Sequence, residues 1–160
     1  MKFEIERESI GEGELAELAR ALAEVLIPGD VVVLSGEIGA GKTTFVRAAA
    51  KALGVAEEVT SPTYQLARSY PAERGEEKFA VEHLDLYRLQ GLDPYDALDL
   101  DEHLRPDAIA FIEWADPALE LLDDPSVILL SHGDGPTRDI RLGGPAARRA
   151  ARRLTDSGGA

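Results

Sequence analysis

The chain has 160 residues and a mass of 17.2 kDa, a length that serves one domain with a single core. It carries 17 Lys and Arg against 30 Asp and Glu, a formal charge of −13, which argues against a surface that grips nucleic-acid phosphate throughout. Cysteine is absent, so disulfides, thiolate metal sites and a cysteine nucleophile are excluded.

Lys2 to Glu8 alternates, placing Phe3 and Ile5 on one face of a short strand. Leu15, Leu18, Leu22 and Leu26 recur at helical spacing, which predicts an amphipathic helix over 12–26 that stops at the turn Pro28-Gly29-Asp30. Val31 to Ser35 is apolar and β-branched, as suits a parallel strand covered on both faces. A Gly-rich segment follows, then a helix from about 42 to 53 that Gly54 terminates. Tyr64–Tyr70 and Phe79–Asp85 alternate and read as a strand pair joined by a hairpin-like loop over 72–77. A short helix is expected at 94–100. A second buried strand is expected from Ala108 to Ile112, ending at Glu113 and lying beside Val31–Ser35. Val127–Leu130 and Asp139–Leu142 read as a further hairpin, and Pro145 opens a closing helix. No apolar run approaches the ~18 residues of a membrane span, and MKFEIERESI contains no apolar signal region, so a cytoplasmic protein is expected. Residues 1–155 are expected to form one domain, with 156–160 as a frayed tail.

The chemistry concentrates in Gly36-Glu37-Ile38-Gly39-Ala40-Gly41-Lys42-Thr43, which fits the phosphate-loop pattern G-x-x-x-x-G-K-[ST]. Glycines let the backbone curl so that successive N–H groups face an anion, and the next helix points its N-terminal dipole at the same place. Lys42 supplies a mobile charge for β- and γ-phosphates, and Thr43 offers a hydroxyl to Mg²⁺. The motif sits after a buried strand and before a helix, as its mechanism requires. With it, the expected fold is α/β: a phosphate-loop NTPase with a mixed, mainly parallel central sheet flanked by helices.

Such a loop needs an acid at the carboxyl end of a neighbouring strand. Glu113 is assigned to the metal, directly or through water. Asp85 is assigned to the metal's water or to orienting an attacking water. Ser61-Pro62-Thr63 reads either as a segment that senses a γ-phosphate or as a Pro-set turn. His83 faces the same side as Asp85 and reads either as a group that positions water or as a packed histidine. His103 and His132 are expected to be structural or solvent-facing. Arg88 reads as a phosphate or partner contact, or as an ordinary surface ion pair. Residues 138–160 hold six Arg against two Asp, leaving −17 on the rest; Arg148, Arg149, Arg152 and Arg153 read either as an anion-binding patch or as a solvated helix face.

Gly36–Thr44 followed by Phe45, then Ser61-Pro62-Thr63-Tyr64, then His83-Leu84-Asp85-Leu86-Tyr87-Arg88, then Ile112-Glu113-Trp114 occur in that order. The combination resembles the bacterial TsaE (formerly YjeE) family, the ATPase component of tRNA threonylcarbamoyladenosine biosynthesis. The resemblance implies a weak ATPase that acts with the TsaB and TsaD proteins to modify adenosine 37 in tRNAs reading ANN codons, meeting tRNA only within that complex. It implies ATP at Gly36–Thr44, with Trp114 nearby. It also implies Mg²⁺ held by Thr43 and Glu113, and catalytic roles for Lys42, Asp85 and Glu113.

Two other classes share the motif: a small-molecule kinase and a nucleotide-sensing binding module. Residues 115–137 contain no Lys or Arg, which counts against the Arg-rich lid of a kinase. A guanine-reading N-K-x-D motif needs Asn, and the chain has none. From the charge distribution, the isolated protein is expected to bind tRNA weakly. Filter binding at low and physiological salt checks this; tight, salt-sensitive binding would assign the Arg-rich helix to RNA.

Overall fold

A computed structural model describes residues 2–37, 39–60, 67–86, 102–113 and 122–158, without the side chains of 156–158. Its strands are β1 (Phe3–Ile10), β2 (Val31–Gly36), β3 (Ala67–Arg74), β4 (Glu77–Asp85), β5 (Ala108–Glu113), β6 (Ser126–His132) and β7 (Arg138–Gly143). Its helices are α1 (Glu12–Val25), α2 (Lys42–Ala52) and α3 (Pro145–Gly158). The strands form one seven-stranded sheet in the order β1-β7-β6-β2-β5-β4-β3. The central strands β6, β2, β5 and β4 pair in parallel, and both flanks pair antiparallel. Only β3 and β7 run against the others, so the mixed, mainly parallel sheet expected from the sequence is what the chain builds.

The two wholly apolar runs became the two innermost strands. Every residue of β5 is buried, and β5 lies directly beside β2. Alternation then sorts side chains by face. Val32 and Leu34 of β2, Val81 of β4 and Ile109 and Phe111 of β5 join one core with Leu15 and Leu22 of α1, Phe45 and Ala49 of α2 and Ala146 and Ala150 of α3. Val33, Leu84 and Ile112 face the other way, into a smaller cluster with Leu86.

One hairpin differs from expectation. β3 continues through Pro71 to Arg74, so residues 72–74 are strand, and the loop shrinks to Gly75-Glu76 with Gly75 at φ +64°. Pro71 is tolerated because β3 is an edge strand. Ala72 is buried and also bridges Val55, which extends the strand past the proline. The helix expected at 94–100 lies outside the described residues.

The Arg-rich helix is tied to its own domain. Arg149 donates through Nε to the Val25 carbonyl at 3.0 Å and pairs with Asp30, whose carboxylate also accepts from the Ile27 amide at 2.8 Å. Arg148 and Arg153 lie 4.0 and 3.6 Å from Asp124 and Glu24. Ser126 of β6 accepts the Ala146 amide at 2.9 Å, capping the first turn. Arg149 thus joins α3 to the turn that leads into β2. Arg149→Ala should lower stability by about 1–2 kcal/mol, and Arg152→Ala by no more than about 0.5 kcal/mol; urea unfolding of the two variants measures the difference.

Candidate functional site

The parallel register places the site. Leu34 of β2 lies opposite Glu113 of β5, and Asp85 of β4 lies opposite Glu113 on its other side. Gly36 lies opposite Leu130 of β6. The carboxyl ends of these strands therefore share one edge, and the 36–41 loop leaves the sheet there. The two acids expected at strand ends stand side by side within reach of the loop.

Two glycines show why the loop needs them. A Cβ on Gly36 would collide with the Leu130 carbonyl oxygen, because strand β6 passes directly beside it. Gly41 is the residue before α2, at φ +107°, and a Cβ there would stand 2.7 Å from Arg138 Nε. That guanidinium donates to the Ala40 carbonyl at 2.9 Å, so β7 pins the loop from the side. His132, at the end of β6, lies 3.8 Å from the exposed Glu37.

Lys42 begins α2 and is only 6% exposed. Its Nζ donates to the Gly36 carbonyl at 2.6 Å and to the Glu37 carbonyl at 3.1 Å. Burial pushes the ammonium below the ordinary lysine range, while the carboxylates of Glu113 and Asp85 act in the opposite sense. The one buried cation of the loop and the two strand-end acids are thus one electrostatic group. Thr43 and Thr44 follow in the first turn of α2, both half-buried.

Glu113 is almost fully buried, and its Oε2 lies 2.6 Å from Nε2 of the equally buried His83. His83 therefore touches the acid itself and is shut off from solvent. On the opposite face of β4, Glu82 accepts from Ser69 at 2.7 Å, His103 at 3.0 Å and Arg105 at 3.4 Å, a saturated cluster away from the loop. His103 is structural, and His132 is half-exposed beside the loop. Ile38, Ser61–Tyr64, Tyr87, Arg88 and Trp114 lie outside the described residues. The two residues before Ser61 are held: Val59 accepts from Arg47 at 2.9 Å, and Thr60 from Arg68 at 2.7 Å.

Sequence reasoning missed Arg138, which lies 98 residues from its loop partner Ala40 and carries no local signal. It also missed the bond between His83 and Glu113, because neither alternation nor motif spacing says which strands are neighbours.

The gathered donors fit magnesium. A hydroxyl on Thr43 and the carboxylates of Asp85 and Glu113 are the hard oxygen donors that Mg²⁺ takes, and because Mg²⁺ keeps several waters it would need few of them.

A buried strand, a Gly-rich turn and a helix opening on lysine, at the carboxyl edge of a sheet parallel at its centre, define a phosphate-loop NTPase fold. A family model, "Threonylcarbamoyl adenosine biosynthesis protein TsaE", matches residues 10–140. The tRNA threonylcarbamoyladenosine biosynthesis protein TsaE of Streptomyces coelicolor is 43% identical over 127 residues, covering 78% of this chain and 84% of that one. The Mycobacterium bovis protein of the same name is 40% identical over 127 residues, covering 73% and 74%. The crystal structure of Bacillus subtilis YdiB superposes with a TM-score of 0.72 at 25% identity, covering 96% of this chain and 95% of that one. The chain belongs to the TsaE family, and its role lies in tRNA threonylcarbamoyladenosine biosynthesis.

Gly36→Ala should displace the loop or part β2 from β6. It is expected to cost about 1–3 kcal/mol in urea unfolding without nucleotide; an unchanged midpoint would show that β6 yields to the extra methyl.

Proposed function

We propose that the protein is a cytoplasmic, magnesium-dependent ATPase, weak alone, that supports a TsaB–TsaD pair in forming threonylcarbamoyladenosine at position 37 of tRNAs reading ANN codons. The observation that carries the reading is the common electrostatic group of Lys42, Asp85 and Glu113 at the mouth of the 36–43 loop. Family membership supports the pathway.

In this reading the loop amides and the α2 dipole hold the phosphates of ATP. Lys42 leaves the carbonyls of Gly36 and Glu37 for β- and γ-phosphate oxygens. Thr43 and Glu113 hold Mg²⁺, which when bound offsets charge on those phosphates. Asp85 orients the attacking water. Thr44 and Trp114 contact the nucleotide, and Ser61–Thr63 senses the γ-phosphate. A segment that contacts ATP and not ADP gives a partner two different surfaces, which nucleotide control of binding requires.

Lys42→Ala should weaken ATP binding at least about tenfold, since a charge-assisted phosphate contact is lost. Asp85→Ala should retain ATP but turn it over about 10²- to 10⁴-fold more slowly, leaving the TsaB–TsaD complex stalled. Calorimetry with ATP, turnover assays with and without TsaB–TsaD, and partner affinity in ADP against a non-hydrolysable ATP analogue measure these. Equal partner affinity in both nucleotide states, with full turnover by Asp85→Ala, would overturn the proposal.

A further inference from the structure

Two glutamates of the sheet are equally buried and differently treated. Glu82 has its carboxylate saturated by a hydroxyl, an imidazole and a guanidinium. Glu113 has one hydrogen bond among the described residues, from His83 to Oε2. A carboxylate accepts at both oxygens, so Oε1 remains for another partner. Glu113 also interacts electrostatically with the Lys42 ammonium, on the side of the phosphate loop.

His83 is equally specific. Its ring is fully buried, with Nε2 on Glu113 and Nδ1 meeting no hydrogen-bond partner among the described residues. Since a carboxylate only accepts, Nε2 is the donor of this bond. An apolar side chain of similar size would fill the same space without orphaning a nitrogen. The histidine is therefore explained by its one contact. That contact is diagonal: His83 registers with Phe111, and Glu113 sits two residues further along β5. It turns the carboxylate across the strands on the face where Asp85 and α2 also lie.

We propose that His83 is the positioning residue for Glu113: by holding Oε2 from within the sheet, it fixes the carboxylate so that Oε1 is presented to the divalent cation. The inference rests on the reading of Glu113 as a magnesium-holding residue given above. Ligand carboxylates are commonly oriented by such outer hydrogen bonds, and removing one typically weakens metal binding about 10- to 100-fold.

Four variants test this. His83→Gln keeps an amide donor where Nε2 stood, His83→Asn places it too short, His83→Leu fills the space with no donor, and Glu113→Gln removes the charge of the acid. Mn²⁺, visible by electron paramagnetic resonance, is titrated into each full-length protein with ADP bound. ADP affinity in EDTA and thermal unfolding without nucleotide are measured alongside. His83→Leu and His83→Asn should weaken Mn²⁺ binding at least about tenfold, while His83→Gln retains it and ADP affinity in EDTA is unchanged in all three. If His83→Leu does not fold, the contrast between Gln and Asn decides. Mn²⁺ binding that is equal in Gln and Asn, or unaffected in Leu, while Glu113→Gln weakens it, would overturn the role of His83 alone. Undiminished Mn²⁺ binding by Glu113→Gln would instead overturn the assignment of Glu113 to the metal, and this inference with it.

Discussion

A strand with apolar neighbours on both faces cannot slip by one residue without turning every side chain to the wrong side. That constraint holds β2 between β5 and β6. With Val32 and Leu34 committed to the core that includes α2, and Val33 to the opposite cluster, β2 cannot shift by one residue against β5. Glu113 must then end its strand on the α2 side, as must His83 and Asp85 on β4. The strand positions from which charge reaches Lys42 follow from where hydrophobic side chains are buried; the His83 contact then orients the Glu113 carboxylate.

The fold was legible where one residue pattern admitted one structure. Val31–Ser35 and Ala108–Ile112 are too apolar for a sheet edge, and the loop motif between a strand and a helix fixed the direction of the chain. Legibility failed where the deciding partner is remote. Pro71 reads as a strand breaker until β3 is known to be an edge strand whose next residue packs on Val55. Arg138 looks like any surface arginine until β7 is seen beside the loop. His83 and Glu113 could each be picked out as candidates, but their 2.6 Å contact depends on β4 and β5 being neighbours, which local pattern does not encode.

The uneven charge has a structural use that its sum conceals. Arg149 is absorbed by Asp30 and the end of α1, and Arg148 and Arg153 face Asp124 and Glu24 of the acidic body. The positive helix is thus largely a clasp for the negative remainder. Surface pairs of this kind add little individually, but the partly buried Arg149–Asp30 pair also holds the turn from which β2 starts.

The pinning of the loop by the far end of the chain bears on how the protein is made. Gly36 is lined by Leu130, Ala40 is held by Arg138, and the first strand finds its partner in β7, with Phe3 opposite Gly143. Leu130 arrives with β6, and the other two contacts cannot exist while the nascent chain is shorter than β7. The strand β1 has no pairing partner until β7 is made, and the loop, although encoded in the first third of the chain, acquires its walls only with β6 and β7. A chain cut short before β7 therefore lacks both the Arg138 bond to Ala40 and the strand on which β1 pairs.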